Sequence, residues 1–112
     1  MTASFNNNSI PNMTLKITEQ DNGLKAELTG RLDTAASEQF ARDMNPLLEQ
    51  AHRNIELDLA GLEYISSSGL SLLLTLLKQV NSKGGQLTLK NLNESIREVF
   101  TMTGFFRLFN IR

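Results

Sequence analysis

Ser66-Ser67-Ser68-Gly69 stands between an apolar run closing on Leu62 and Ile65 and a leucine-rich run opening at Leu70. Hydroxyls in such a place have four chemical uses. They can attack a substrate, cradle a phosphate, accept a modification or cap a helix. A cap at Ser66 or Ser67 satisfies a backbone N–H that a helix start leaves unpaired, and is worth about 1 kcal/mol. A nucleophile elbow needs Gly-x-Ser-x-Gly with a histidine later in the chain. Ser67 and Gly69 supply its second half, but Ile65 occupies the first glycine position and His52, the one histidine, comes earlier. A Ser67 hydrolase therefore lacks its relay. A P-loop needs Gly-x-x-x-x-Gly-Lys-Ser/Thr, which does not occur. Capping and modification both stay open, since unpaired amides and aligned peptide dipoles would also hold an added anion at a helix start.

The rest of the composition narrows the chemistry. The chain has 112 residues, enough for one domain. Its 11 basic and 12 acidic residues leave a net charge of −1 and form no basic block, so nucleic acid and anionic membrane are not expected partners. Cysteine is absent, which removes disulfides, thiol chemistry and Cys-ligated zinc. No metal site or cofactor is expected, and no carboxylate pair has catalytic spacing. Apolar runs fall well short of the roughly 20 residues a membrane span needs. The start, Met1 to Met13, has no basic or apolar stretch of a signal peptide and reads as a flexible Asn-rich lead-in over 1–12. The expected location is the cytoplasm.

Hydrophobic periodicity supplies the elements that must position the serines. Met13, Leu15 and Ile17 alternate with polar residues, Asp21-Asn22-Gly23 turns, and Leu24, Ala26, Leu28 and Leu32 resume the pattern: an antiparallel hairpin. Ala36, Phe40, Met44, Leu47, Leu48 and Ala51 have helical spacing, with Thr34 or Ser37 as cap. Pro46 predicts a kink or break near Asn45. Ile55, Leu57 and Leu59 mark a third strand, followed by the serines and a helix to about Ser82. Leu70, Leu73, Leu74, Leu77 and Val80 fall on its apolar face, whereas Leu72 falls with the polar side, where both partner contact and simple exposure fit. Leu87 and Leu89 mark a fourth strand. A helix carrying Ile96, Val99, Phe100 and Thr103 starts near Asn93 or Ser95 and stops at Gly104. Phe105, Arg107, Phe109 and Ile111 predict a last short strand, and Met102 a core gap-filler. The order ββαβαβαβ implies an α/β fold: one mixed, mostly parallel sheet with helices packed on it.

Leu57 to Ile111 as a whole resembles the STAS domain of bacterial anti-sigma factor antagonists. The resemblance rests on the apolar strand, the Ser-Ser-Gly-Leu turn into a helix, Lys83-Gly84-Gly85, a further strand, and a helix ending in Gly104-Phe105. Upstream, Gly30-Arg31-Leu32-Asp33-Thr34 resembles the family's Gly-x-Leu-Asp-Thr element, so the likeness spans about Leu15 to Ile111 and the domain is set at 13–112.

The resemblance implies a function. Family antagonists carry Asp-Ser/Thr-Ser/Thr-Gly at this turn, and the residue after the Asp is phosphorylated by a partner that is both anti-sigma factor and serine kinase. Set on Gly69, that pattern places the phosphosite at Ser67, with Ser66 a second candidate acceptor because it stands where the family has Asp. Asp33, Ser66, Ser68, Gly69 and Leu72 become the expected partner contacts. The chain would bind the kinase unmodified, freeing a sigma factor, and be released when phosphorylated; a PP2C-type phosphatase would reset it. It would be a kinase substrate with no catalytic residues. The alternative implied by Ser66 is a STAS module that never switches, serving as scaffold or accessory subunit.

Overall fold

The computed structural model describes residues 13–112; the lead-in expected over 1–12 lies outside them. The hairpin forms as β1, Met13–Gln20, and β2, Gly23–Leu32, paired antiparallel with Met13 opposite Gly30 and Gln20 opposite Gly23. The chain then runs α1, Thr34–Asp43; α2, Asn45–Glu49; β3, Asn54–Ile65; α3, Ser67–Lys83; β4, Gln86–Lys90; α4, Glu94–Thr103; and β5, Asn110–Ile111. The sheet order is β1-β2-β3-β4-β5, and β2/β3, β3/β4 and β4/β5 are all parallel. This is the mixed, mostly parallel sheet expected.

One face of the sheet carries the core. Ala26, Leu28, Ile55, Leu57, Leu59, Leu87 and Leu89 are buried there, and the helices add Phe40, Leu73, Leu76, Val80, Ile96 and Phe100 to the same cluster. The residues between them on the strands, among them Lys25, Glu56, Asp58 and Lys90, lie on the other face. Lys25 Nζ is 3.8 Å from Asp58, and Lys90 Nζ is 3.2 Å from Glu56. Burial pushes the Asp58 carboxyl up, but the Ala60 and Asn91 N–H donors and the Lys25 charge outweigh it and hold it below the usual carboxylate range.

Pro46 acts as expected. The first helical segment breaks at Met44, and the proline falls in the first turn of α2, where its missing N–H costs no helical bond. Gly84 ends α3 in the left-handed region at φ 81°, as glycine allows.

Three expectations need correction. The last strand is shorter than predicted: Gly104, also left-handed, leads into a single 3₁₀ turn over Phe105–Arg107, and only Asn110–Ile111 pairs with β4. Phe109 turns inward instead, edge-on to Phe100 at 5.6 Å, so aromatic packing bends this segment away from an extended path. Met102 fills no gap; it is 80% exposed on the outer side of α4. On α3 the buried sector differs from the expected face. Leu76 is fully buried, Leu74 and Leu77 are half-buried, and Leu72 is half-buried against the core rather than out on the polar side. The reason is that α3 is covered on more than one side, by the sheet, α1 and α2.

β3 has 12 residues against the 10 of β2 because it carries two bulges. One extra residue lies between Asp58 and Gly61 and another between Leu62 and Tyr64. Each resets the inward phase, so Leu59, Leu62 and Ile65 are all buried at a spacing of three. The strand thus runs beyond Leu59, where simple alternation ends, and delivers Ile65 opposite Leu32.

Candidate functional site

β2 and β3 end together. Leu32 pairs with Ile65, and the Ser66 N–H donates to the Leu32 carbonyl at 2.8 Å. The next residues, Asp33 and Ser66, each leave the strand in extended geometry and each cap a helix. The Asp33 carboxylate accepts from the Ala36 N–H at 2.8 Å, and Ser66 Oγ accepts from the Gly69 N–H at 3.1 Å. Two helices therefore start side by side. Gly69 makes the close approach possible: a Cβ there would lie 2.8 Å from Leu32 Cγ and 3.0 Å from Ile65 Cγ1.

The cap of α1 is Asp33, not Thr34 or Ser37 as expected. Asp33 holds the extended backbone that lets a side chain reach back to the third amide. Ser37 sits one turn in, where its hydroxyl donates to the Asp33 carbonyl at 2.8 Å. Its oxygen lies 3.0 Å from Ser68 Oγ, which in turn lies 3.0 Å from Ser66 Oγ.

These contacts have one consistent direction. A carbonyl only accepts and an amide N–H only donates, and each serine has one proton. Ser37 gives its proton to the Asp33 carbonyl, so Ser68 must donate to Ser37 and Ser66 to Ser68. The chain runs from the Gly69 N–H through Ser66, Ser68 and Ser37 to the Asp33 carbonyl, with every hydroxyl both accepting and donating. Ser37 and Ser66 are the two buried polar residues of the described domain, at 6% and 7% exposure.

Ser67 stands apart. It is exposed, and its side chain makes no hydrogen bond among the described residues. The amides of Ser67 and Ser68 have no partner there either, as expected for the first turn of a helix. Beside this end of the sheet, the Arg31 guanidinium lies 4.5 Å over the Tyr64 ring, and Tyr64 is 41% exposed.

The structure thus brings Asp33, Ser66, Ser67, Ser68 and Gly69 into one cluster. Leu72 lies further along α3. Ser37 was visible in the sequence only as an alternative cap; its four-residue spacing from Asp33 was the available signal.

His52 lies before β3 begins and Ser67 after β3 ends. A strand running the ten-residue length of β2 separates them, about 33 Å at roughly 3.3 Å per residue, so the two cannot form a proton relay. Among the described residues no group of three or more His, Asp or Glu is placed to hold a metal ion, and no helix is long and apolar enough to cross a membrane. A polar groove of about 480 Å³ lies at the opposite end of the parallel strands, lined by Asn22, Asn54, Glu56, Thr88, Lys90 and Arg112 among others. It contains none of the clustered residues.

Known proteins share both sequence and fold with this chain. The family model of the STAS domain matches residues 14–112. A Bordetella bronchiseptica protein with the provisional name anti-sigma factor antagonist BtrV is 35% identical over 99 residues, 88% of this chain and 85% of that protein. The anti-sigma-B factor antagonist of Bacillus subtilis is 26% identical over 100 residues, 89% of this chain and 91% of that protein. An anti-sigma factor antagonist from Mycobacterium paratuberculosis superposes with a TM-score of 0.80 at 15% identity, covering 92% of this chain and 87% of that one, which shows the fold. Sequence and architecture agree: the chain belongs to the STAS domain family.

Proposed function

We propose that this protein is an anti-sigma factor antagonist that switches partners by phosphorylation of Ser67. In the unmodified form it binds an anti-sigma factor that is also a serine kinase, and a sigma factor is freed. Phosphate on Ser67 releases that partner, and a PP2C-type phosphatase restores binding. The protein is a substrate in this cycle and not an enzyme.

The observation that carries the reading is the contrast among the three serines. Ser66 and Ser68 are tied into the cap network, and Ser67 is exposed at the start of α3 with no side-chain hydrogen bond among the described residues. A phosphate there brings about −1.5 to −2 charge. The helix accepts it, because its first amides and its dipole favour an anion. A partner surface fitted to a neutral serine beside the Asp33 carboxylate does not accept it. The change is one of surface charge on an unchanged fold. The relatives' names supply the partner class.

The test is binding of the cognate anti-sigma kinase to wild type, Ser67→Ala and Ser67→Asp. Wild type and the alanine form should bind, and the aspartate form should bind at least about ten-fold more weakly, a loss of about 1.4 kcal/mol. Equal binding by all three would make the domain a constitutive scaffold.

A further inference from the structure

Ser37 lies on a different helix from the three serines, is buried, and ends the hydroxyl chain that begins at Gly69. We propose that Ser37 is the positioning residue that confines phosphorylation to Ser67. This rests on the reading of Ser67 as the switch and concerns how one of three adjacent hydroxyls is chosen.

Phosphorylation forms a bond between a serine Oγ and the terminal phosphorus of a nucleoside triphosphate. The bridging P–O bond to the departing nucleoside diphosphate breaks, and the serine proton passes to a base on the kinase. The acceptor must therefore present both an open oxygen and a transferable proton. Ser67 presents both. Ser66 is buried, accepts from the Gly69 N–H at 3.1 Å and donates to Ser68. Ser68 is only half-buried, so burial alone does not exclude it. What withholds it is its proton, held on Ser37 Oγ 3.0 Å away because the Ser37 proton is already committed to the Asp33 carbonyl at 2.8 Å. Reversing the chain would take the Ser37 hydroxyl from that carbonyl, leaving it the Ser37 N–H at 3.0 Å, and would leave the Ser66 proton with no acceptor among the described residues.

Removing the Ser37 hydroxyl removes the acceptor for the Ser68 proton. Ser68 then holds a free proton on a partly open side chain one residue from the natural acceptor. A threonine at 37 keeps the acceptor.

The experiment is phosphosite mapping by tandem mass spectrometry on the protein purified from its source cells. The forms compared are wild type, Ser67→Ala, Ser37→Ala, Ser37→Ala/Ser67→Ala and Ser37→Thr/Ser67→Ala, each checked for native circular dichroism. Wild type should carry phosphate on Ser67 alone, and Ser67→Ala essentially none at 66 or 68. Ser37→Ala should bring the Ser68 signal to about five- to ten-fold above the wild-type background at that position, the factor corresponding to release of one ordinary hydrogen bond. The double alanine form should retain Ser68 phosphate, and the threonine form should lose it again. A site distribution unmoved by Ser37→Ala overturns the proposal and leaves the Ser67 switch standing, as does phosphate on Ser68 in wild type. A wild-type protein with no phosphate on any of the three overturns the switch itself, and this inference with it. A merely structural Ser37 would lower stability without moving phosphate between serines.

Discussion

Asp33 and Ser66 are neighbours because Leu32 pairs with Ile65, and each begins a helix with its own side chain as cap. The two caps are chemically unequal. One is a carboxylate and the other a neutral hydroxyl that passes its proton onward to Ser68. The exposed Ser67 follows Ser66 directly, at the end of the sheet that also carries Asp33 and the Arg31 guanidinium.

Ser66 and Ser67 should separate cleanly in stability. Ser66→Ala removes the α3 cap and leaves Ser68 without its donor, so it should cost about 1–2 kcal/mol. Ser67→Ala touches nothing in the fold and should stay within about 0.5 kcal/mol of wild type. Urea unfolding followed by circular dichroism measures both.

A charge at Ser67 should leave the fold intact. Ser67→Asp places an anion at the first turn of α3 and should stabilise by about 0.3–1 kcal/mol at low salt, less any repulsion from Asp33. The gain should fade in roughly 1 M salt, where the Debye length is about 3 Å. Thermal melts at low and high salt test this, and a destabilised aspartate form would mean that loss of partner binding reflects unfolding.

Gly69→Ala runs against helix propensity. In an open helix the change gains about 1 kcal/mol. Here the added Cβ would meet Leu32 Cγ at 2.8 Å, and α3 or the Leu32 side chain must move. A net loss of about 1–3 kcal/mol is expected, read from the urea midpoint. Amide shifts in the same variant should concentrate around Leu32, Asp33 and Ser67.

Asp58 should make part of the stability acid-sensitive. Its carboxyl is held low by Ala60, Asn91 and Lys25 despite burial. A carboxyl with a lowered folded pKa contributes stability above its unfolded pKa, and that contribution disappears as pH falls through the folded value. Stability measured from pH 7 down to about pH 2 should therefore fall less steeply in Asp58→Asn than in wild type. Parallel curves would show that Asp58 is not a source of the acid response.

Much of this was legible in the chain itself. The hairpin, the break at Pro46, the glycine stop of α3 and the serine run at a helix start each rest on a local rule, whether alternation, a missing N–H, a left-handed φ or a cap. Those rules act within a few residues, so the sequence expresses them directly. The Ser37–Ser68 contact was not legible, because those residues are 31 positions apart and meet only through the packing of α1 on α3. Nor was the burial of Leu72 and Leu76, since a helical wheel assumes one buried side and α3 is covered on several.

What the sequence determined alone is the set of elements, their order and the presence of a serine run in a capping turn, for these follow from short-range chemistry. What the tertiary structure decided is which serines join the hydrogen-bonded cap network. Two bulges in β3 set the phase that brings Ile65 opposite Leu32. That register places Ser66 beside Asp33, and packing of the two helices then closes the hydroxyl chain through Ser37. Hydrogen bonds between distant residues depend on register and packing, which no local pattern encodes, and among the described residues they engage Ser66 and Ser68 but not Ser67.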